Sequence, residues 1–198
     1  MSDERFCRRK ALAYAEPWAA ARFAAKAHHG QRRKYSGAPY IRHPYRVAVL
    51  CARVGAPIAV VRAAFLHDVL EDTPTTLQDL IEAFGLGVAN LVDEVTCQYT
   101  KERHPDKSRN VRKKLAALRL RDASAGARCI KFADMADNVR DIAAADPDFA
   151  RTYLDEKQFL ARQMAPTSYD PRWLVSIHNV ALQECLRAYS RLISKSDS

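Results

Sequence analysis

Nothing in this 198-residue sequence approaches the run of roughly 20 apolar residues that a membrane-spanning helix requires. The opening stretch, Met1 to Lys10, is polar and basic with no apolar segment behind it, so no secretory signal is expected. Glycine is scarce, at 6 residues, which argues against a turn-rich all-β fold. The 5 cysteines (Cys7, Cys51, Cys97, Cys129 and Cys185) are odd in number, widely spaced and never form a C-x-x-C pair. That argues against both a disulfide framework and a cysteine-based zinc site. Repeats, low-complexity tracts and long linkers are absent. The expectation is a single soluble, cytoplasmic domain over residues 16–193, with flexible ends at 1–15 and 194–198.

What the sequence has in quantity is alanine, 33 residues, within a composition that is 48% apolar and 28% charged. That is the make-up of a helical globular protein, and a chain of this length buries roughly 70% of its unfolded surface without needing a metal or disulfide as a staple. Basic residues outnumber acidic ones, 32 to 23, for a formal net charge of +9. Such a charge fits either a solvated basic surface or a polyanionic ligand, and charge alone does not choose between them.

Helix punctuation is frequent. Pro17 suits a first turn, and the Ala-rich segment from Trp18 to His29 stops at Gly30. Gln31 to Ile41 reads as a charged loop. His43-Pro44 opens a second helix with Val47, Leu50, Cys51 and Val54 at helical spacing, and Pro57 opens a third, apolar almost throughout from Ile58 to Leu70. Thr76 is placed to cap a fourth, Leu77 to Phe84. Leu86 to Val95, Val111 to Leu120, Ala125 to Ala145, Phe149 to Gln163 and Pro171 to Ile193 complete the set. No stretch alternates with the period of a strand. The predicted fold class is all-α, a compact bundle of about nine helices.

Ionisable residues collect at the end of the third helix. At about 100° per residue, His67, Glu71, Asp68 and Asp72 fall on one arc of an otherwise apolar helix. Burying them unpartnered would cost several kcal/mol each, so a bound cation, mutual pairing or an open helix end must answer for them. Thr73-Pro74 ends the helix at this point. In the seventh helix Lys131, Asp134, Asn138 and Asp141 share a face, a pattern that alone fits a salt bridge better than a metal. His43, taken alone, reads as a cap or a surface residue.

Together, His43, the pair His67-Asp68, and Asp134 arrive in the order H…HD…D, each on a helix. In this the chain resembles the HD superfamily of metal-dependent phosphohydrolases. The resemblance narrows with the stretch from Gln31 to Pro44 (QRRKYSGAPYIRHP), then His67 to Thr73 (HDVLEDT), Glu94-Val95-Thr96, Lys131 to Asp134 (KFAD) and Asn138 to Asp141 (NVRD). These look like the successive motifs of alarmone hydrolases, both the hydrolase half of Rel-type stringent-response enzymes and the free-standing small alarmone hydrolases, over roughly residues 20–160. The chain is short for a synthetase domain as well, so the resemblance implies a stand-alone hydrolase that removes the 3′-pyrophosphate of (p)ppGpp or (p)ppApp.

Carried over by position, the resemblance implies that His43, His67, Asp68 and Asp134 hold one metal ion. Two imidazoles and two carboxylates suit a borderline divalent ion such as Mn²⁺. Glu71 and Asp72 match the pair that positions and activates the attacking water. Arg33, Lys34, Ser36 and Asn138 match substrate contacts, and a polyphosphorylated nucleotide needs such Arg and Lys donors. The expected partner is therefore a phosphorylated nucleotide, not nucleic acid or membrane; the oligomeric state is not readable. The chain departs from the family pattern at Tyr35, Cys97-Gln98, Asp137 and Asp141, and none of these is expected to touch the metal ligands. Two other readings share these residues: an HD-domain phosphatase acting on another nucleotide or dinucleotide phosphate, and a catalytically inactive nucleotide-binding regulator.

Overall fold

The computed structural model describes residues 17–196. Ten helical segments follow one another: α1 (Pro17–Ala27), α2 (Arg42–Arg53), α3 (Ile58–Leu66), α4 (Val69–Asp72), α5 (Leu77–Phe84), α6 (Leu86–Val95), α7 (Arg109–Arg121), α8 (Ala125–Ala145), α9 (Pro147–Gln163) and α10 (Arg172–Ser196). Among the described residues the only extended pairing is an isolated bridge between Arg32 and Pro39. The all-α expectation holds. The count exceeds nine because the third predicted helix is two: it breaks at His67-Asp68, where Asp68 has φ −101° and ψ −5°. The last helix runs to Ser196, past the expected boundary at 193. The N-terminal segment 1–15 and residues 197–198 lie outside the described residues. No described helix is long and apolar enough to cross a membrane.

Local chemistry explains the boundaries. Thr76 caps α5 in a reciprocal box: its Oγ1 accepts from the Asp79 amide at 3.2 Å, while its own amide donates to Asp79 Oδ2 at 2.8 Å. Ser124 caps α8 by accepting from the Ala127 amide at 3.2 Å. Pro147 does not merely stop α8. It opens α9, with Asp146 accepting from the Phe149 amide at 3.2 Å, and so the ninth segment starts earlier than Phe149.

The centre of the bundle is α8, which packs against α2, α3, α6, α9 and most extensively α10. Cys129, Ile130, Phe132, Ala133, Met135, Ala136 and Val139 are fully buried around its circumference, and over residues 129–139 only Lys131 and Asn138 are partly exposed. The close fit begins at its first turn. A Cβ on Gly126 would lie 2.7 Å from Leu91 Cδ2 and 3.1 Å from Val60 Cγ2, so a residue without one lets α3 and α6 approach the helix. Helix α2 lays His43, Val47, Ala48 and Cys51 against the same core. Three buried segments (α2, the α3–α4 break and α8) therefore meet at one level, and each carries an ionisable side chain into an apolar interior.

Candidate functional site

His43, on the first turn of α2, and His67, at the end of α3, are each about 1% exposed, and their Nε2 atoms face one another at 3.2 Å. Asp68 Oδ2 lies 3.2 Å from His67 Nε2 and 3.5 Å from His43 Nε2. Asp134 Oδ1 lies 3.3 Å from His43 Nε2 and 3.9 Å from His67 Nε2. The break between α3 and α4 matters here: with consecutive residues on either side of it, His67 and Asp68 both turn inward instead of pointing about 100° apart.

The outer nitrogen of each ring faces an acceptor. His67 Nδ1 donates to the Ala64 carbonyl at 2.8 Å, and His43 Nδ1 donates to Asp137 Oδ2 at 2.7 Å. A neutral imidazole with its proton on Nδ1 has a bare lone pair on Nε2. With both rings neutral, two such lone pairs and two carboxylate oxygens would face one volume. That arrangement is repulsive unless a positive charge occupies it. Donors about 2.1 Å from an octahedral ion stand about 3 Å apart, close to the separations seen, and His43, His67 and Asp134 have ligand atoms within 4.8 Å of one another. The donor set fits a divalent metal ion.

Electrostatics agree. Burial opposes charge on His43, yet Asp134 and Asp137 outweigh it and raise the imidazole to about 9. Burial likewise opposes ionisation of Asp134, but Lys131, whose Nζ is 3.0 Å from Asp134 Oδ2, and His43 hold it well below the carboxylate range. Asp68 is lowered against its own burial by His67 and His43. Without a cation, the cluster attracts a proton; a divalent ion satisfies the same demand.

Glu71 and Asp72, the expected water-activating pair, point to different partners. Glu71 accepts from the Cys97 amide at 2.7 Å and faces Lys131. Asp72 turns the other way, towards Tyr40, whose hydroxyl lies 2.7 Å from Asp68 Oδ2 and 3.0 Å from Asp72 Oδ2. Both acids sit at the exposed end of α4, not on the buried arc expected of a continuous helix. Enough protein still surrounds them to withdraw water: desolvation raises Glu71, and desolvation followed by Asp68 raises Asp72.

Two cavities flank the cluster, with Tyr153 in the wall of both. One, of about 130 Å³, is lined by Glu71, Thr96, Cys97, Lys113, Arg119, Lys131 and Lys157 among others. Its lysines crowd one another, since Lys113 is pushed down by burial and then by Lys157. The other, of about 190 Å³, is lined by Arg33, Lys34, Tyr35, Ser36, Tyr40, Asn138, Ile142, Phe149 and Tyr153. All four residues expected to contact substrate therefore share one cavity. Arg33 donates to Asn138 Oδ1 at 2.8 Å and its guanidinium is 5.9 Å from the Tyr40 ring. The Arg33 amide donates to the Ala38 carbonyl at 2.8 Å and the Tyr40 amide to the Gln31 carbonyl at 3.0 Å, so the loop is fastened to itself. Asn138 Nδ2 donates to Asp134 Oδ1, linking this cavity to the cluster.

The expectation that no departure touches a metal ligand is wrong for Asp137, which accepts from His43. Arg46 donates to the same carboxylate at 2.6 and 3.1 Å. The sequence held a signal for both: Arg46 follows His43 by three residues and Asp137 follows Asp134 by three, one helical turn in each case. Tyr40, Lys113 and Lys157 carried no such signal, because only tertiary packing brings them in.

Residues 20–160 match the HD domain family. The chain is 42% identical over 132 residues to the human guanosine-3′,5′-bis(diphosphate) 3′-pyrophosphohydrolase MESH1, covering 65% of this chain and 70% of that protein. It is 40% identical over 132 residues to the bifunctional (p)ppGpp synthase/hydrolase SpoT of Escherichia coli, where the match spans 18% of the longer protein. Among solved structures, a metazoan ortholog of SpoT that hydrolyzes ppGpp superposes with a TM-score of 0.70 at 26% identity, over 84% of this chain and 94% of that one.

Proposed function

The chain belongs to the HD domain family, and from that premise we propose that it is a metal-dependent 3′-pyrophosphohydrolase of alarmone nucleotides, (p)ppGpp or (p)ppApp. The observation that carries the reading is the convergence of two imidazole Nε2 atoms and two carboxylates between an aromatic, Arg/Lys-lined cavity and a second cavity walled by lysines. A nucleoside bearing phosphates on two sides matches that layout. The similarity to MESH1 and to the SpoT ortholog supports the same substrate class.

His43, His67, Asp68 and Asp134 would hold the ion, and their mixed nitrogen and oxygen donors suit Mn²⁺. When bound, such an ion lowers the pKa of a coordinated water and offsets charge on phosphate oxygens. The remaining work belongs to side chains. Glu71, raised by desolvation, is placed to take a proton from the attacking water at the mouth of the cluster, and the Cys97 amide fixes its carboxylate. Asp72, at the end of α4, is tied through Tyr40 of the loop to Asp68. Arg33 presents a planar guanidinium to the base and Lys34 a point charge to phosphate, while Ser36 and Asn138 line the same cavity. Lys113, Lys131 and Lys157 offset the charge of the departing pyrophosphate.

The test is a product assay with ppGpp, pppGpp, ppApp and pppApp in the presence of Mn²⁺. Release of pyrophosphate is expected. Orthophosphate would instead identify a phosphatase, and binding without turnover an inactive regulator.

A further inference from the structure

The brace behind His43 assigns a task to two residues outside the proposed ligand set. We propose that the Arg46–Asp137 ion pair is a positioning device that holds His43 in the one tautomer able to bind a cation. The inference rests on His43 being a metal ligand.

The Asp137 side chain is fully buried, and its two oxygens accept from three N–H groups: Arg46 Nε at 2.6 Å, Arg46 Nη2 at 3.1 Å and His43 Nδ1 at 2.7 Å. A carboxylate in this place can only accept, so Nδ1 keeps its proton, and in the neutral ring the bare lone pair is the one on Nε2, which faces His67, Asp68 and Asp134. A proton on Nε2 would occupy the position the ion needs. Arg46 reaches in from the surface, with its side chain 43% exposed, and supplies the charge that a buried carboxylate requires. The brace also joins α2 to α8 one turn beyond a proposed ligand on each, so it fixes the distance between His43 and Asp134 as well as the ring's orientation. Outer partners of metal-binding histidines commonly act in this way, and their loss weakens metal binding by about 10–100-fold.

The experiment is calorimetric titration of Mn²⁺ into the metal-stripped full chain without nucleotide, with thermal melts alongside. Two double variants are compared, Arg46→Met/Asp137→Leu and Arg46→Met/Asp137→Asn. Both delete the ion pair without leaving a lone buried charge, and the thermal melts report whether each variant stays folded. They differ in whether His43 Nδ1 still finds an acceptor oxygen. The Leu variant should bind Mn²⁺ about 10–100-fold more weakly than wild type, and the Asn variant should recover most of that loss. Wild-type affinity in the Leu variant, or equal affinities in the two, would overturn the proposal; so would losses that merely follow the melting temperature. His43→Ala separates the premises. If it binds Mn²⁺ like wild type, the ligand assignment falls and the brace with it. Weakened binding in His43→Ala upholds the ligand assignment, and the two double variants then decide for or against the brace.

Discussion

The cluster of His43, His67, Asp68 and Asp134 and the loop from Gln31 to Ile41 border the same opening, yet they are built by opposite means. In the cluster the two histidines are nearly inaccessible, and the outer nitrogen of each ring is held by a carbonyl or a carboxylate behind it. In the loop, Lys34, Tyr35 and Ser36 are exposed, and the backbone closes on itself through the Arg32–Pro39 bridge. Burying ionisable groups is costly, so the cluster tolerates few alternatives. The loop is held by its own backbone bonds, so its side chains can change at little cost to the fold. On the proposed function, the metal chemistry would fall to the first region and the choice of nucleotide to the second.

Changes in the cluster should have the largest effect. His67→Ala or Asp68→Ala is expected to abolish Mn²⁺-dependent turnover while circular dichroism still reports a helical protein. Residual turnover above a few per cent, with unchanged Mn²⁺ affinity, would move these residues out of the centre.

Glu71 stands at the boundary of the two regions. Glu71→Gln should keep Mn²⁺ and nucleotide affinity while kcat falls roughly 10²–10⁴-fold, the range for lost acid–base help. Desolvation raises Glu71, and a general base works only when deprotonated. The acidic limb of the kcat–pH profile should therefore lie above the ordinary value of about 4.3, with activity falling as pH drops through it, and should vanish in the Gln variant. Loss of metal together with activity would make Glu71 a ligand instead.

In the loop the effects should be smaller and fall on KM. Arg33→Ala should raise KM and narrow any preference between guanine and adenine substrates, because it also releases Asn138. Lys34→Ala should weaken all the phosphorylated substrates alike, by a factor that shrinks at high salt as screening weakens the wild-type contact. Wild-type KM and base preference in both variants would remove the loop from the site. As a control distant from both regions, Thr76→Ala deletes one half of the capping box on α5 and should cost about 1 kcal/mol of stability, read from chemical denaturation, with no change in Mn²⁺ affinity.

The sequence made some of this legible and hid the rest for physical reasons. Helix ends were readable where a cap or breaker marks them: Thr76 before α5, Gly85 after it and Pro57 before α3 all fall where their chemistry places them. The H…HD…D order picked out four side chains that the fold does bring together. The break at His67-Asp68 was not legible, because nothing local stops a helix within Phe65-Leu66-His67-Asp68-Val69. It shows only once both side chains must reach one point. Hence Glu71 and Asp72, one residue apart, reach different partners, the Cys97 amide and the Tyr40 hydroxyl. Helix α8 shows a second limit: the spacing of Lys131 and Asp134 fits the salt bridge they make, but it does not show that Asp134 and Asp137 are buried. A period of 3.6 cannot tell a solvated acid from one facing a buried cation or arginine.

The most direct test of the metal centre is a crystal of the chain grown with Mn²⁺ and measured at the manganese absorption edge. One anomalous peak is expected, in contact with His43 Nε2, His67 Nε2 and a carboxylate oxygen each from Asp68 and Asp134, with the His43 Nδ1–Asp137 contact intact behind it. A peak elsewhere, beside Glu71 and Lys131 for example, or no peak at saturating Mn²⁺, would contradict the assignment.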